Sequence, residues 1–365
     1  MKGVEMKERV FNFNPGPATL PVSVLEAAKE EMLNYHGEGM SILEMSHRSK
    51  TFEGILNEAA AAIKKVMGFS DNYTVLFLQG GATAQFAAVP LNLAVKGKPA
   101  LYINTGAWAK KAISEAKKLS IEYKVIASSE SDNFSHIPKS YEIDPNASYL
   151  HITSNNTIFG TQWQSYPKSG NIPLIADMSS DFYCRRFDPN LFGLIYAGAQ
   201  KNAGPAGVTM VIIRNDLLPR SPENIPTILN YNVFAKDNSL YNTPNCFGIY
   251  IVGLVMKWIL EQGGIDKVEE VNKKKAKLLY DTMDAGDFYR PTVQKDSRSM
   301  MNITFRLPSE ELENKFLAEA KEAQLIGLKG HRSVGGVRAS LYNAMPLKGV
   351  EALVDFMKKF EKKSR

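Results

Sequence analysis

Cysteine is scarce: Cys184 and Cys246 are the two thiols in 365 residues. Two are too few for a disulfide framework, and nothing around them has metal-ligand spacing. A disulfide-stapled secreted module is therefore excluded, no metal centre is expected, and a reducing compartment is favoured. Long apolar runs are also missing. The longest, GIYIVGLVM, meets Lys257 well before the roughly 20 residues a spanning helix needs, so no membrane partner is expected. At the N-terminus MKGVEMKERV has charges but no apolar stretch behind them, unlike a secretory signal. A cytoplasmic location follows, with ordered-looking sequence beginning near Val10. Internal repeats and low-complexity segments are absent too.

What is present is ordinary globular material. Hydrophobic residues make up 44% and charged residues 22%, enough to build a core. At 40.5 kDa the chain exceeds the size at which one core stops growing, so one large domain with a smaller companion is predicted. The net charge of +6 raises the question of nucleic acid. The basic residues, however, alternate with acids along helical stretches such as KVEEVNKKKAKLLYD, which is the pattern of a solvated face and not of a nucleic-acid arm. A modest positive field suits a small anionic substrate. The closing FMKKFEKKSR reads as the end of an amphipathic helix whose lysines complement its dipole.

The order of elements points to an α/β fold. A short strand over Val10 to Phe13 leads into the proline-rich loop NPGPATLP, then a helix from Val22 to Tyr35 with Val22, Leu25, Ala28, Met32 and Tyr35 on one face. Gly37 and Gly39 end it, and a second helix runs from Ser49 to Met67. Strand TVLFLQ, the turn Gly80-Gly81-Ala82-Thr83 and a helix from Ala84 begin a pattern that recurs. It continues through ALYINTG with a helix from Trp108, then IEYKVIA, YLHITS, PLIADMS, LIYAGA and VTMVII. Alternation of this kind predicts a largely parallel sheet covered on both faces, with ligands at the carboxyl ends of its strands. After the helix GIYIVGLVMKWILEQ, Gly263-Gly264 is a natural stop. A lysine-rich helix to Met283, strand MNITFRL, a helix from Ser309 to Ala323 and HRSVGGVRASLYN then make a separate α+β unit. The expected division is 16–263 for the large domain and 264–365 for the small one, with 1–15 packing against the latter.

The chemistry concentrates at predicted strand ends. Between Ile195 and Ile213 an apolar strand stops at Lys201 and a second resumes after NAGPAG, holding a lysine at a bend between buried strands. Desolvation depresses a lysine's pKa, and a neutral amine attacks aldehydes. Upstream, PLIADMSS ends on Asp177. A snorkelling lysine and a capping aspartate would explain either residue alone. Together on strand ends they are the pair a pyridoxal phosphate site needs, an amine for the imine and an acid for the ring nitrogen. Gly80-Gly81-Ala82-Thr83 offers free N–H groups to an anion, although a glycine turn before a helix is usually only a turn. Trp108 is placed to stack on a flat ring or to fill a core, and Thr157 in SNNTIFG to offer a hydroxyl or to cap a loop. His47-Arg48 and His331-Arg332, with Arg338 behind, are forks for carboxylate or phosphate, or surface arginines with capping histidines.

The blocks SHR, GG before a helix, TGAW, SNNTIFG, IADMSSDF, YAGAQKNAGPAG, YNTP and LKGHRSVGGVRASLYNAMP closely resemble the phosphoserine aminotransferase family, within the fold-type I, class V aminotransferases. The likeness runs from about Phe11 to Phe360. It implies the pyridoxal-phosphate-dependent transferase fold of type I, with a mostly parallel seven-stranded sheet in the large domain and a smaller α+β C-terminal domain. It further implies that Lys201 bonds the cofactor's aldehyde, Asp177 holds the pyridinium nitrogen, Trp108 stacks on the ring and Thr157 meets its hydroxyl side. Ala82, Thr83 and Gln200 would hold the cofactor phosphate, joined by Asn242 and Thr243 from the other subunit of a homodimer with shared active sites. His47 and Arg48 would cross the interface to join His331 and Arg332 on the substrate's phosphate or side-chain carboxylate, and Arg338 would take the α-carboxylate. Thr83 stands where some relatives carry an arginine, so phosphate charge there would be met by backbone and hydroxyls. The implied reaction is amino transfer between L-glutamate and 3-phosphohydroxypyruvate in serine biosynthesis, with 4-phosphohydroxythreonine as a further candidate. The rivals are a class V aminotransferase acting on an unphosphorylated keto acid and a basic binding protein on a degenerate fold. A cysteine desulfurase is disfavoured because no cysteine follows Cys246.

Overall fold

The computed structural model describes residues 9–365; the expectations for positions 1–8, including the leader reading, lie outside the described residues. In chain order the elements begin with β1 (Phe11–Asn12), α1 (Val22–Glu30), α2 (Lys50–Met67), β2 (Tyr73–Leu78), α3 (Gly81–Leu93), β3 (Ala100–Asn104), α4 (Ala107–Lys118) and β4 (Tyr123–Ser128). Next come β5 (Tyr149–Thr153), β6 (Leu174–Asp177), β7 (Leu194–Gly198), β8 (Thr209–Arg214), α5 (Tyr231–Lys236), α6 (Cys246–Glu261) and α7 (Gly264–Asp284). The chain finishes with β9 (Arg290–Pro291), β10 (Asn302–Arg306), α8 (Glu310–Glu322), β11 (Leu325–Ile326), β12 (Val337–Ser340) and α9 (Leu347–Ser364).

Seven strands form the central sheet in the order β2-β8-β7-β6-β5-β3-β4. Its pairs are parallel from β7 to β4, whereas β8 runs antiparallel to both neighbours. The sequence pattern alone did not reveal that reversal. Its cause is the connection 199–208, which is shorter than the dozen or more residues a parallel crossover needs. Alternate residues of each strand face opposite ways. Leu150, Ile152, Ala176 and Ile195 pack with α2 and α6, while Tyr149, Ile175, Leu194 and Tyr196 pack with α3 and α4. Helix α6, whose central residues are buried in this core, is too short to cross a membrane, and no single helix among the described residues is long and apolar enough to do so.

The C-terminal part has its own antiparallel sheet, β12-β10-β9, against α7, α8 and α9, with Leu279, Phe305, Phe316, Leu353 and Met357 at its centre. β1 pairs with β11, and Phe13 joins the same core.

The first helix differs from expectation. α1 ends at Glu30 and not Tyr35, and it buries Val24 and Ala28 while Val22 and Leu25 remain exposed. The Asn34 side chain accepts from the Gly39 N–H at 2.8 Å, a local turn that competes with further helix.

A buried strap ties the small core to the sheet edge. Lys275 on α7 is fully buried, and its Nζ donates to the carbonyls of Leu341 (2.8 Å), Tyr342 (2.9 Å) and Met345 (3.1 Å). Burial pushes this amine down to about 7. The three carbonyls oppose that push, because three acceptors match the three protons of an ammonium. Within the held segment the Asn343 N–H donates to Asn202 Oδ1 at 2.9 Å, beside Lys201. Asn272, one turn before Lys275, donates to Asn343 Oδ1 at 2.8 Å. Lys275→Met is expected to lower stability by at least about 2 kcal/mol, since it strands buried carbonyls. The denaturation midpoint checks this, and an unchanged midpoint would show that the carbonyls find other donors.

Candidate active site

The carboxyl edge of the central sheet gathers side chains from five separate segments. Asp177 is the last residue of β6 and is almost fully buried. By strand alternation it shares a face with Ile175, the face that carries α3 and α4. Its Oδ1 accepts the Ser179 N–H at 2.9 Å, and Ser179 Oγ in turn accepts the Gly198 N–H at 3.2 Å, which locks the end of β6 to the end of β7. Burial raises the Asp177 carboxyl pKa, and the Ser179 hydrogen bonds and the positive charge of Lys201 pull it back.

Lys201 stands in the turn after β7. The residue as a whole keeps some exposure, but its amine is enclosed, and the surroundings of the amine set its acidity. Burial lowers it to about 8; Arg338 pushes the same way, and the carboxylate of Asp177 opposes them. The Nζ lies 5.7 Å from the centroid of the Trp108 ring. An amine that loses its proton near physiological pH can act as nucleophile or as base.

Trp108 sits in the first turn of α4, directly after β3. Its Nε1 donates to Thr157 Oγ1 at 2.8 Å, which leaves the hydroxyl proton of Thr157 free for another acceptor. Arg338 on β12 is buried and donates Nη1 to the Thr157 carbonyl at 2.8 Å, while its Nε has no partner. One residue, Thr157, thus joins the ring, the loop after β5 and the small sheet. Gly106 allows the close approach, because a Cβ there would collide with the Asn156 side chain.

At the end of β2, Gly80 adopts φ +90° and caps α3, and a Cβ there would lie 2.5 Å from that of Ala84. The first-turn N–H groups at Ala82 and Thr83 have no helical acceptor, and with the helix dipole they form an anion-binding end. Gln200, in the turn after β7, is fixed through its carbonyl, which accepts the Ala18 N–H at 2.8 Å.

Thus Lys201, Asp177, Trp108, Thr157 and Arg338 converge. His331 and Arg332 lie in a turn close enough that the charges of Arg338, Arg332 and Lys111, after burial, lower the His331 pKa. A second group is not brought in. Among the described residues no hydrogen bond or ion pair joins His47 or Arg48, in the exposed turn before α2, to this cluster. Asn242 and Thr243 lie in a loop held to the chain's own Gln79, whose Nε2 donates to the Thr243 carbonyl at 2.9 Å. Reasoning from sequence overlooked Ser179, Asp181 and Lys111, the last with its Nζ 4.5 Å from the Trp108 centroid. The block IADMSSDF holds the first two, but only contacts tell their parts from those of their neighbours.

The donor set fits pyridoxal 5'-phosphate. It has an amine of lowered pKa, a buried carboxylate for a ring nitrogen, an indole face and a helix N-terminus for a phosphate. The buried and unpartnered Thr105 Oγ1, Thr153 Oγ1 and Arg338 Nε mark polar demand at the same edge that the protein alone does not meet.

The sequence model of the class-V aminotransferases matches residues 10–353. The phosphoserine aminotransferase of Syntrophobacter fumaroxidans is 58% identical over 360 residues, which cover 98% of this chain and 100% of that one. Among solved structures, phosphoserine aminotransferase from Bacillus circulans subsp. alkalophilus superposes with a TM-score of 0.96 at 53% identity, covering 98% and 100% of the two chains. A PLP-bound phosphoserine aminotransferase from Trichomonas vaginalis gives 0.92 at 37% identity over 96% and 100%.

Reductive methylation of the cofactor-free protein should modify Lys201 with a pH midpoint near 8. Asp177 stabilises the ammonium, so Asp177→Asn should move that midpoint lower still. Peptide mapping across pH reads both, and a midpoint at the ordinary lysine value of about 10.4 would show a solvated amine.

Proposed function

The chain belongs to the class-V aminotransferase family, and from that premise we propose that it moves an amino group reversibly between L-glutamate and 3-phosphohydroxypyruvate, giving O-phospho-L-serine and 2-oxoglutarate on the way to L-serine. The observation that carries this reading is the convergence of Lys201, Asp177, Trp108 and Arg338 at one sheet edge in a chain so close to phosphoserine aminotransferases. The same pattern of two anionic ends admits 4-phosphohydroxythreonine.

Bound pyridoxal 5'-phosphate supplies a reactive aldehyde and an electron-withdrawing ring that acidifies the α-hydrogen of an attached amino acid. The protein supplies everything else. Asp177 keeps a negative charge where the ring nitrogen needs its proton, and Ser179 fixes that carboxylate. Lys201 accepts the substrate's α-proton on Nζ and returns it, a role suited to an amine whose pKa is near the working pH. Trp108 and Thr157 orient the ring as a unit, through the hydrogen bond between them. Ala82, Thr83 and Gln200 take the cofactor phosphate, with hydroxyl and backbone groups in place of an arginine at 83. Arg338 takes the α-carboxylate, its unpartnered Nε being one tine of the fork. His331 and Arg332 take the distal phosphate or carboxylate.

A homodimer completes the site. His47 and Arg48 make no hydrogen bond or ion pair to their own chain's cluster among the described residues, Thr243 is held at Gln79, and the stretch 33–43 and position 241 expose Leu33, Met40, Leu43 and Tyr241. Apolar exposure of this kind supports burial against a second copy, which would deliver His47, Arg48, Asn242 and Thr243. The reading includes a cytoplasmic location and a division into a large domain at 16–263 and a smaller α+β domain at 264–365, with the described part of the segment before residue 16 packing against the latter.

Lys201→Ala should lower turnover by about 10^4-fold or more, measured as 2-oxoglutarate release; near-normal turnover would overturn the assignment. Arg332→Ala should lower the preference for phosphoserine over serine about 10- to 100-fold, the worth of one charge-assisted hydrogen bond. Comparing kcat/KM for the two amino acids reads this, and an unchanged ratio would place phosphate recognition elsewhere.

A further inference from the structure

Four residues after Asp177, a second carboxyl is buried that the mechanism above does not use. Asp181 is 3% exposed, and among the described residues its carboxyl meets only Ser154 and Gln162, neither of them charged. Each of those contacts constrains where a proton can be. Gln162 accepts the Met300 N–H on Oε1 at 2.9 Å, which fixes its amide, so its Nε2 donates to Asp181 Oδ2 at 3.0 Å. That oxygen is an acceptor.

The other oxygen faces Ser154 Oγ. The same hydroxyl lies 2.9 Å from the backbone carbonyl of Asp177, a group that can only accept. Ser154 has one hydroxyl proton for two neighbours. If it goes to Asp181, the hydroxyl oxygen faces the Asp177 carbonyl at 2.9 Å with no proton between them, although that carbonyl keeps the Ser154 N–H at 3.0 Å. If it goes to the Asp177 carbonyl, every contact is satisfied, provided that Asp181 brings a proton of its own to Ser154.

The geometry points to Asp181 as a neutral carboxylic acid, a positioning residue that donates to Ser154, holds the Asp177 main chain through it, and leaves Asp177 the one anion at this strand end. Its role toward the ring nitrogen rests on the reading of Asp177 given above; its protonation does not. The surroundings favour the neutral form. Burial raises the Asp181 pKa first of all, the hydrogen bonds with Ser154 and Gln162 pull it back, and the Asp177 charge adds a smaller push upward. Arg185, the cation on its own segment, opposes this but directs Nη1 and Nη2 to the carbonyls of Gln164 and Trp163. The remaining titratable groups facing it are Lys201 from the turn after β7, Tyr166, Cys184, and Tyr342 from the segment after β12. Two carboxyls so close divide into one charged and one neutral when their environments differ. Asp177 has Lys201 and the Ser179 N–H, and Asp181 has no ionic partner.

Asp181→Asn tests this in the holoenzyme, because an amide replaces a protonated carboxyl atom for atom, with Nδ2 donating to Ser154 and Oδ1 accepting from Gln162. Infrared difference spectra between wild type and D181N should show a protonated-carboxyl stretch that the variant lacks. D181N should keep kcat/KM within about twofold, and the pH midpoint of the cofactor's visible absorption should stay in place. D181L, which can make neither hydrogen bond, should lower the denaturation midpoint, so that D181N is a rescue and not a silent change. A raised folded-state pKa stabilises the fold fully below the unfolded value of about 3.9 and loses that contribution as pH rises through the folded value. Wild type should therefore lose stability relative to D181N as pH climbs above about 4. Absence of the infrared band, an absorption midpoint that falls in D181N, or a D181N as unstable as D181L would each overturn the inference. The band and the stability curves do not depend on the substrate, so failure to turn over phosphoserine beside an intact band would count against the proposed reaction alone.

Discussion

The structure depends on keeping one amine out of water beside one carboxylate. Lys201 is enclosed enough that burial outweighs the pull of Asp177 and leaves its pKa about 8. Neither group would be useful without the other. A solvated lysine would stay protonated, and a buried carboxylate with no cation or N–H donor would neutralise itself. The sheet makes the pairing cheap, because the parallel strands β6 and β7 end side by side and the Ser179–Gly198 hydrogen bond joins their ends.

Everything around the pair serves to hold it in register. Thr157 is the centre of one brace, accepting from Trp108 on its hydroxyl and from Arg338 on its carbonyl. The second brace runs from Lys275 and Asn272 through Asn343 to Asn202, next to the amine itself. Both reach into the C-terminal sheet and helices, so the small core contributes to the site without owning its central groups. Buried polar networks are costly when half satisfied and rigid when complete. Among the buried atoms left without a partner, Arg338 Nε, Thr105 Oγ1 and Thr153 Oγ1 lie at the edge where a ligand's polar groups would meet them, while Asn272 Oδ1 is left over within the second brace.

Much of this was legible in the chain. The apolar strand ending on Asp177, the bend after β7 that carries Lys201, the glycine turn at Gly80-Gly81 and the helix stop at Gly263-Gly264 each follow from local chemistry, and the structure has them. The end of the first helix was not legible, because the Asn34 turn that competes with it looks like any other polar stretch. The reversal of β8 was hidden for a similar reason: a buried antiparallel strand and a buried parallel one are equally apolar. Ser179 and Asp181 stood in a motif already recognised, yet nothing in the letters separates a serine that caps a carboxylate from one that faces water.

By itself the sequence determined the α/β class and the strand ends near which Asp177 and Lys201 fall, because hydrophobic period, glycine and proline act locally. Only the tertiary structure decided which residues meet. It set Arg338 against Thr157 across 181 positions, enclosed the Lys201 amine, and left His47 and Arg48 with no hydrogen bond or ion pair to that cluster among the described residues. A pKa and a hydrogen bond belong to the space around a group, and that space is made by segments the local sequence does not contain.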